Sequence, residues 1–257
     1  MGYALITGAS KGIGKALAYE LAGRNYDILI TARSAPLLEE LSKELIEKFK
    51  IKVAFITLDL ATQEAPANLY QWCMDNGYPV EILINNAGIG LSGAFEKIEP
   101  VQNEHLLQLN VITPTLLCRL FIPLLKQNKR SYILNVVSTS AYQSVPGLSV
   151  YSASKAYLLS LTRALHHELK GSFISVTAVS PGPTDTDWIH TANVQGKALA
   201  MASKVNMQPA EVAKIAVDAM FAHKIEVIPG IMNKAGAFFA WLLPKALVER
   251  ATAKLYQ

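Results

Sequence analysis

The sequence predicts an α/β fold: a single domain built on a doubly wound, seven-stranded parallel sheet with helices on both faces. Three observations carry this. Short apolar runs alternate with longer helical patterns from end to end, the order that builds parallel sheets through right-handed crossovers. The early runs are nearly unbroken Val, Ile and Leu, as strands covered on both faces require. The first run passes directly into a glycine-rich turn, and a helical pattern follows it.

Strands are predicted at residues 3–7, 27–32, 52–58, 80–85, 131–137, 174–179 and 226–228. Helices are predicted at 13–24, 36–49, 65–76, 100–126, 150–170 and 209–222. Two stretches break the alternation. Residues 181–208 read as a long polar insertion, and 230–257 form a C-terminal tail. No repeat, low-complexity stretch or linker divides the chain.

Composition bounds the function. Of 257 residues, 51% are hydrophobic and 17% charged, enough to bury a sizeable core and too apolar for disorder. The net charge of +4 is scattered, which argues against a nucleic-acid surface. Cys73 and Cys118 lie far apart inside helical patterns and read as buried free thiols in a reducing compartment; no spacing suggests a metal. The first strand begins at Tyr3, leaving no room for a signal peptide, and Ile6 breaks the myristoylation pattern. The apolar run at 235–244 is too short to span a bilayer. A cytoplasmic location is the expectation.

Thr7-Gly8-Ala9-Ser10-Lys11-Gly12-Ile13-Gly14 sits between the first strand and helix. Glycines there permit a tight turn and close backbone approach to a pyrophosphate, which the helix N-terminus attracts. The end of strand two normally carries an acid for the ribose 2′-hydroxyl of NAD. Here it reads Thr31-Ala32-Arg33-Ser34. The Arg33 guanidinium suits a 2′-phosphate, and Lys11 adds a second cation, so NADP(H) is preferred over NAD(H). Asp59-Leu60 ends strand three, where a carboxylate suits an adenine amino group. Asn85-Asn86-Ala87-Gly88 ends strand four; small residues allow close passage of the cofactor, and Asn85 reads as a structural tie between strands.

Tyr151 and Lys155 lie four apart and share a helix face. An ammonium beside a phenol favours the phenolate and makes a poised proton donor. Ser138 lies thirteen residues before Tyr151.

Together these motifs resemble the short-chain dehydrogenase/reductase superfamily, in its form of about 250 residues. The resemblance rests on Thr7-Gly8-x-x-x-Gly12-x-Gly14, Asn85-Asn86-Ala87-Gly88, Asn110, Ser138, Tyr151-x-x-x-Lys155 and Pro181-Gly182-x-x-x-Thr186. It implies a Rossmann fold and an oxidoreductase acting between a ketone or aldehyde and a secondary alcohol. Tyr151 would be the general acid or base. Lys155 would lower its pKa and bind the nicotinamide ribose. Ser138 would hold the substrate oxygen, and Asn110 would position a relay water. The cofactor set would comprise Gly8, Ser10, Lys11, Gly12, Ile13, Gly14, Arg33, Asp59, Leu60, Asn86, Ala87, Gly88, Tyr151, Lys155, Pro181, Gly182, Thr184 and Thr186. Family members commonly pair long helices across a two-fold axis, which implies a homodimer or homotetramer.

The segment at about 183–208, with Trp188, Ile189, Ala198, Leu199, Met201 and Met207, suits a lid over a partly apolar substrate, and Lys197 and Lys204 suit an anionic group on it. The tail at about 230–257 has three possible seats: across the lid, at a subunit interface, or on a membrane surface. The alternative to an enzyme is a catalytically quiet NADP(H)-binding sensor or scaffold, which has no evident need for Ser138, Tyr151 and Lys155 together. A sugar-nucleotide epimerase or dehydratase would need a larger substrate domain.

Overall fold

A computed structural model describes residues 2–256; the side chains of His190, Met201, Ala202, Ser203, Lys204, Leu255 and Tyr256 lie outside the described residues. Strands β1 (Tyr3–Thr7), β2 (Asp27–Ala32), β3 (Val53–Thr57), β4 (Val80–Asn85), β5 (Ser131–Val136), β6 (Ile174–Val179) and β7 (Glu226–Val227) form one parallel sheet. Their order is β3-β2-β1-β4-β5-β6-β7. The chain winds outward from β1 in one direction and from β4 in the other. The β1/β4 boundary is therefore the switch point, where the two flanking loops part and leave a crevice.

Helices α1 (Gly12–Ala22), α2 (Ala35–Phe49) and α9 (Pro209–Phe221) cover one face of the sheet. Helices α3 (Ala65–Asp75), α5 (Thr113–Leu125) and α6 (Ser149–Glu168) cover the other. The alternation of side chains along β1 divides the two cores: Ala4 and Ile6 join the α1/α2/α9 side, and Leu5 joins the side of Leu117 and Phe121. Both cores exclude water almost completely, which is why the strands carry no polar alternation.

The helix expected at 100–126 is not continuous. Helix α4 (Pro100–Leu107) passes through a π-helical turn at Gln108–Ile112 into α5. Asn110 sits in that turn, and its amide pairs with both the N–H and the C=O of Ile89 at 3.0 and 2.9 Å. This tertiary anchor replaces the regular ladder, which apolar periodicity cannot register. By length and composition residues Pro100–Leu125 could cross a membrane; here Leu109, Leu117 and Phe121 pack into the sheet core.

Residues 181–208 are not simply a polar insertion. They carry α7 (Trp188–Thr191) and α8 (Gly196–Val205) around a small apolar cluster of Ala192, Val194 and Ala198. The ends of the segment are clasped: Met207 N–H donates to Pro183 O, and Asp185 N–H donates to Met207 O. The tail forms α10 (Ile231–Leu242) and α11 (Lys245–Tyr256).

Candidate active site

The glycine loop at the end of β1 is built for close approach. Gly8 and Gly12 adopt φ of 65° and 55°, a left-handed backbone that side chains disfavour. A Cβ at Gly14 would overlap the Gly8 carbonyl and the Asn86 amide. The loop is welded to β4 across the switch point. Asn86 Nδ2 donates to Thr7 O and Gly8 O at 2.9 and 3.0 Å. The Thr7 hydroxyl accepts from the N–H groups of Asn86 and Ala87 and donates to Ile84 O. Helix α1 begins at Gly12 without a side-chain cap or an acid in its first turn. Its free N–H groups and positive dipole end thus face the crevice, an arrangement that fits a pyrophosphate.

Asn85 is structural, as expected. Its amide donates to Asn135 Oδ1 at 2.8 Å, and Asn135 donates to Thr162 Oγ1 at 2.8 Å, tying β4, β5 and α6 together.

Tyr151 and Lys155 both come from the buried face of α6. Lys155 Nζ donates to Val136 O at 2.9 Å and lies 5.8 Å from the Tyr151 ring centroid. Burial pushes the Lys155 ammonium down from 10.5 to about 8, because a low-dielectric site penalises the charged form. Lys155 therefore keeps its charge at neutral pH, and a cation here stabilises negative charge forming on the phenol oxygen. Gly88 supplies the room: a Cβ there would stand 3.4 Å from Lys155 Nζ and 3.2 Å from Asn110 Oδ1. Asn110 also donates to Ser154 Oγ at 3.2 Å, which in turn donates to the Tyr151 carbonyl at 2.7 Å. Ser138, just beyond β5, accepts from Ser140 N–H at 3.1 Å.

One cavity of about 600 Å³ joins these groups. It is lined by Gly8, Lys11, Gly12, Ile13 and Gly14 at one end, and by Asn86, Ala87, Gly88, Ser138, Tyr151 and Lys155 at its centre. Pro181, Gly182, Thr184 and Thr186 line the side formed by the segment at 181–208. Asn110 touches this centre through Gly88 and lies behind the wall. Ser10, Arg33, Asp59 and Leu60 lie outside the cavity lining. Arg33 is exposed directly after β2; Asp59 Oδ1 accepts from Ala61 N–H at 3.0 Å; Leu60 is buried.

Further residues complete the lining: Trp188 was among those expected over the substrate, whereas Asp187 and the residues of α10 and α11 escaped the sequence reading. Asp187 pairs with Lys11 at 2.9 Å, joining the segment at 181–208 to the glycine loop across 176 positions of sequence. Val145 and Leu148 form an apolar wall beside Tyr151. Trp188 lies over Tyr151 with ring centroids 4.9 Å apart, and only a glycine at position 90 leaves space for its indole. Met232, Asn233, Ala237 and Ala240 on α10, with Thr252 on α11, close the far side. Nothing local marks these positions; chain topology alone carries them to the site. Met201 and Lys204, expected in the lid, lie outside the described side chains.

The model of the short chain dehydrogenase family matches residues 2–197. The chain belongs to this family. Among curated relatives of this short chain dehydrogenase, hydroxysteroid dehydrogenase-like protein 1 of Gallus gallus is 30% identical over 76% of the chain. Very-long-chain 3-oxoacyl-CoA reductase of Mus musculus is 32% identical over 70%. The matches span 59% and 58% of those relatives' own lengths. 7beta-hydroxysteroid dehydrogenase of Clostridium sardiniense is 27% identical over 90% of the chain and 87% of the relative. Among solved structures, a short-chain dehydrogenase from Sphingobium yanoikuyae in complex with NADPH superposes with a TM-score of 0.82 at 27% identity. It covers 96% of this chain and 97% of its own. A bulky-bulky ketone specific alcohol dehydrogenase from Comamonas testosteroni gives 0.78 at 28%, covering 96% of each chain.

Proposed function

We propose that this short chain dehydrogenase transfers hydride between NADP(H) and a ketone or aldehyde, or the reverse from a secondary alcohol, on a substrate that is at least partly apolar. The observation that carries this reading is the meeting of Ser138, Tyr151 and Lys155 with the glycine cradle on one cavity.

The cradle fits a dinucleotide. Gly8, Lys11, Gly12, Ile13 and Gly14 with the α1 N-terminus would hold the pyrophosphate, and Asn86, Ala87, Gly88, Thr184 and Thr186 would flank the rest. Arg33 is the group for a 2′-phosphate. The bound cofactor would supply or accept the hydride. The chain supplies the proton and the surroundings of the reacting oxygen. Tyr151 gives its phenolic proton to the carbonyl oxygen as the hydride reaches the carbon, so a neutral alcohol forms; oxidation reverses both transfers. The Ser138 hydroxyl donates to the same oxygen and steadies its developing charge. Lys155, held by the Val136 carbonyl, stabilises the phenolate left behind.

Apolar walls at Val145, Leu148, Trp188 and Ala240 support an apolar substrate, as do the steroid, very-long-chain acyl and bulky ketone names among its relatives. The segment at 183–208 acts as the lid. A homo-oligomer is part of the proposal: Leu107, Ile112, Leu116 and Tyr157, on α4 to α6, are exposed large side chains on the helices that family members pair. A cytoplasmic setting is supported by the buried free thiols of Cys73 and Cys118, both pushed up to about 12 by burial.

The test is NADPH consumption over a panel of long-chain ketones, steroids, diketones and sugars, with Tyr151→Phe run in parallel. Turnover that depends on Tyr151, with NADPH still bound by the variant, is expected. Undiminished turnover in Tyr151→Phe would remove the proton-donor role.

A further inference from the structure

Helix α10 is apolar apart from Asn233 and Lys234, yet most of its large side chains meet solvent. Ala237 and Ala240 face inward, with Asn233 half-buried beside them. On the opposite side Ile231, Phe238, Phe239, Trp241 and Leu242 are exposed, Trp241 by 72% and Ile231 by 84%. Leu243 and Leu247 extend the ridge toward α11. A helix with large apolar side chains on opposite sides calls for an apolar medium on both. Its inner side has one, in the sheet domain and cavity. The outer ridge requires another, because clustered exposed side chains of this size are uncommon on a protein that meets only water.

Charge identifies the medium. Residues 230–257 hold Lys234, Lys245, Arg250 and Lys254 against one acid, Glu249, so three of the chain's four net positive charges lie here. All four cations are exposed, whereas Glu249 is half-buried. Lys234 stands near the start of the ridge, in line with Phe238 and Trp241 at helical spacing, and Lys245 stands beyond the other end of α10, where its Nζ donates to the Ala240 carbonyl at 3.0 Å. A second copy would bring the same patch against itself, with like charges opposed at both ends of the contact. An anionic lipid surface instead meets every feature. The ridge enters the acyl boundary, Trp241 sits at the headgroup level, Lys234 reaches up to phosphate, and Lys245 adds its charge at the far end.

We propose that α10 and the start of α11 seat this protein on an anionic bilayer, with α10 lying in the interface plane. The consequence, resting on the oxidoreductase reading above, concerns substrate supply. The inner side of the same helix lines the cavity through Met232, Gly236, Ala237 and Ala240. Seated in this way, the cavity mouth lies beside the bilayer, and a carbonyl compound dissolved in lipid enters past α10 without crossing water.

The experiment is co-sedimentation of the full chain with phosphatidylcholine vesicles, with and without phosphatidylglycerol. Binding to the anionic vesicles, weakening as salt rises, is expected. Phe238→Gln with Trp241→Gln, both outside the cavity lining, should weaken it about tenfold or more. Lys234→Gln and Lys245→Gln should each weaken it about fivefold on anionic vesicles and little on neutral ones. The double aromatic variant should keep wild-type turnover on a water-soluble substrate, so loss of binding is separable from failure of the enzymatic reading. Absence of sedimentation with either vesicle would overturn the proposal. So would a soluble dimer that the aromatic variant splits into monomers, since a second copy would then cover the ridge.

Discussion

Lys155 is the residue on which the site's electrostatics turn. Its folded pKa of about 8 lies below the unfolded value of 10.5. Between those values the unfolded chain still holds a proton that the folded chain has shed, so stability rises with pH across that window. Below pH 8 the buried ammonium costs about 3 kcal/mol, a constant penalty. In the cofactor-free protein, Lys155→Met should therefore be more stable than wild type at neutral pH, and the gap should close as pH climbs from 8 toward 10.5. Urea unfolding of both proteins across that range checks it; a gap that stays constant would assign the penalty elsewhere. Arg33 makes a separate prediction. Its guanidinium is exposed and free to grip a dianion, so Arg33→Ala should weaken NADPH binding about tenfold or more while changing NADH binding little. Titration with both nucleotides measures this, and equal losses would reject the 2′-phosphate role. Tyr151 and Lys155 were legible in sequence because a helix turns spacing into adjacency, and Ser138 through the family resemblance. Asp187 was not, since its partner lies far away in the chain; Trp188 was placed in the segment at 183–208, but its stacking on Tyr151 was not foreseen.

Among the elements, the segment at 181–208, the proposed lid, is fastened at two points. Its ends are clasped at Pro183, Asp185 and Met207, and Lys11–Asp187 fastens it to the glycine loop. That ion pair is exposed, 61% and 67% for the two side chains, and is worth under about 1 kcal/mol. It places a carboxylate beside a loop shaped for phosphate. Asp187→Asn should remove the repulsion and release Lys11, tightening NADPH binding by about two- to fivefold at low salt, with the gain fading as salt rises. Calorimetry at two ionic strengths tests it; weaker binding in the variant would make Asp187 a ligand-supporting residue instead. Sequence periodicity located the six principal helices of the two layers, because each buries one stripe against the sheet. It missed the π-helical turn at Asn110, where a side chain bound to the Ile89 backbone overrides the regular ladder. It also missed the helices of lid and tail, whose apolar residues face a cavity or solvent rather than one continuous core.

At the scale of the molecule, two well-buried layers clamp a sheet with a cavity at its switch point. Among the described residues Phe121 is the largest wholly buried side chain, and it packs within the α3/α5/α6 layer. Phe121→Ala should cost about 3–5 kcal/mol, read as a lower chemical-denaturation midpoint, while leaving the pattern of nucleotide preference unchanged. A loss under 1 kcal/mol would mean that the layer collapses around the gap. The α/β class, the strand sequence, the glycine cradle and the Tyr151/Lys155 pair were all determined by sequence alone, for each rests on local spacing: period two, period 3.6, or a turn that only glycine permits. Tertiary structure decided the rest. It brought Met232, Ala237 and Ala240 to the wall of a cavity begun at Gly8, paired Lys11 with Asp187, and turned one side of α10 inward while leaving the other exposed. Those choices depend on which surfaces remain uncovered once the sheet has closed, and no single segment carries that information.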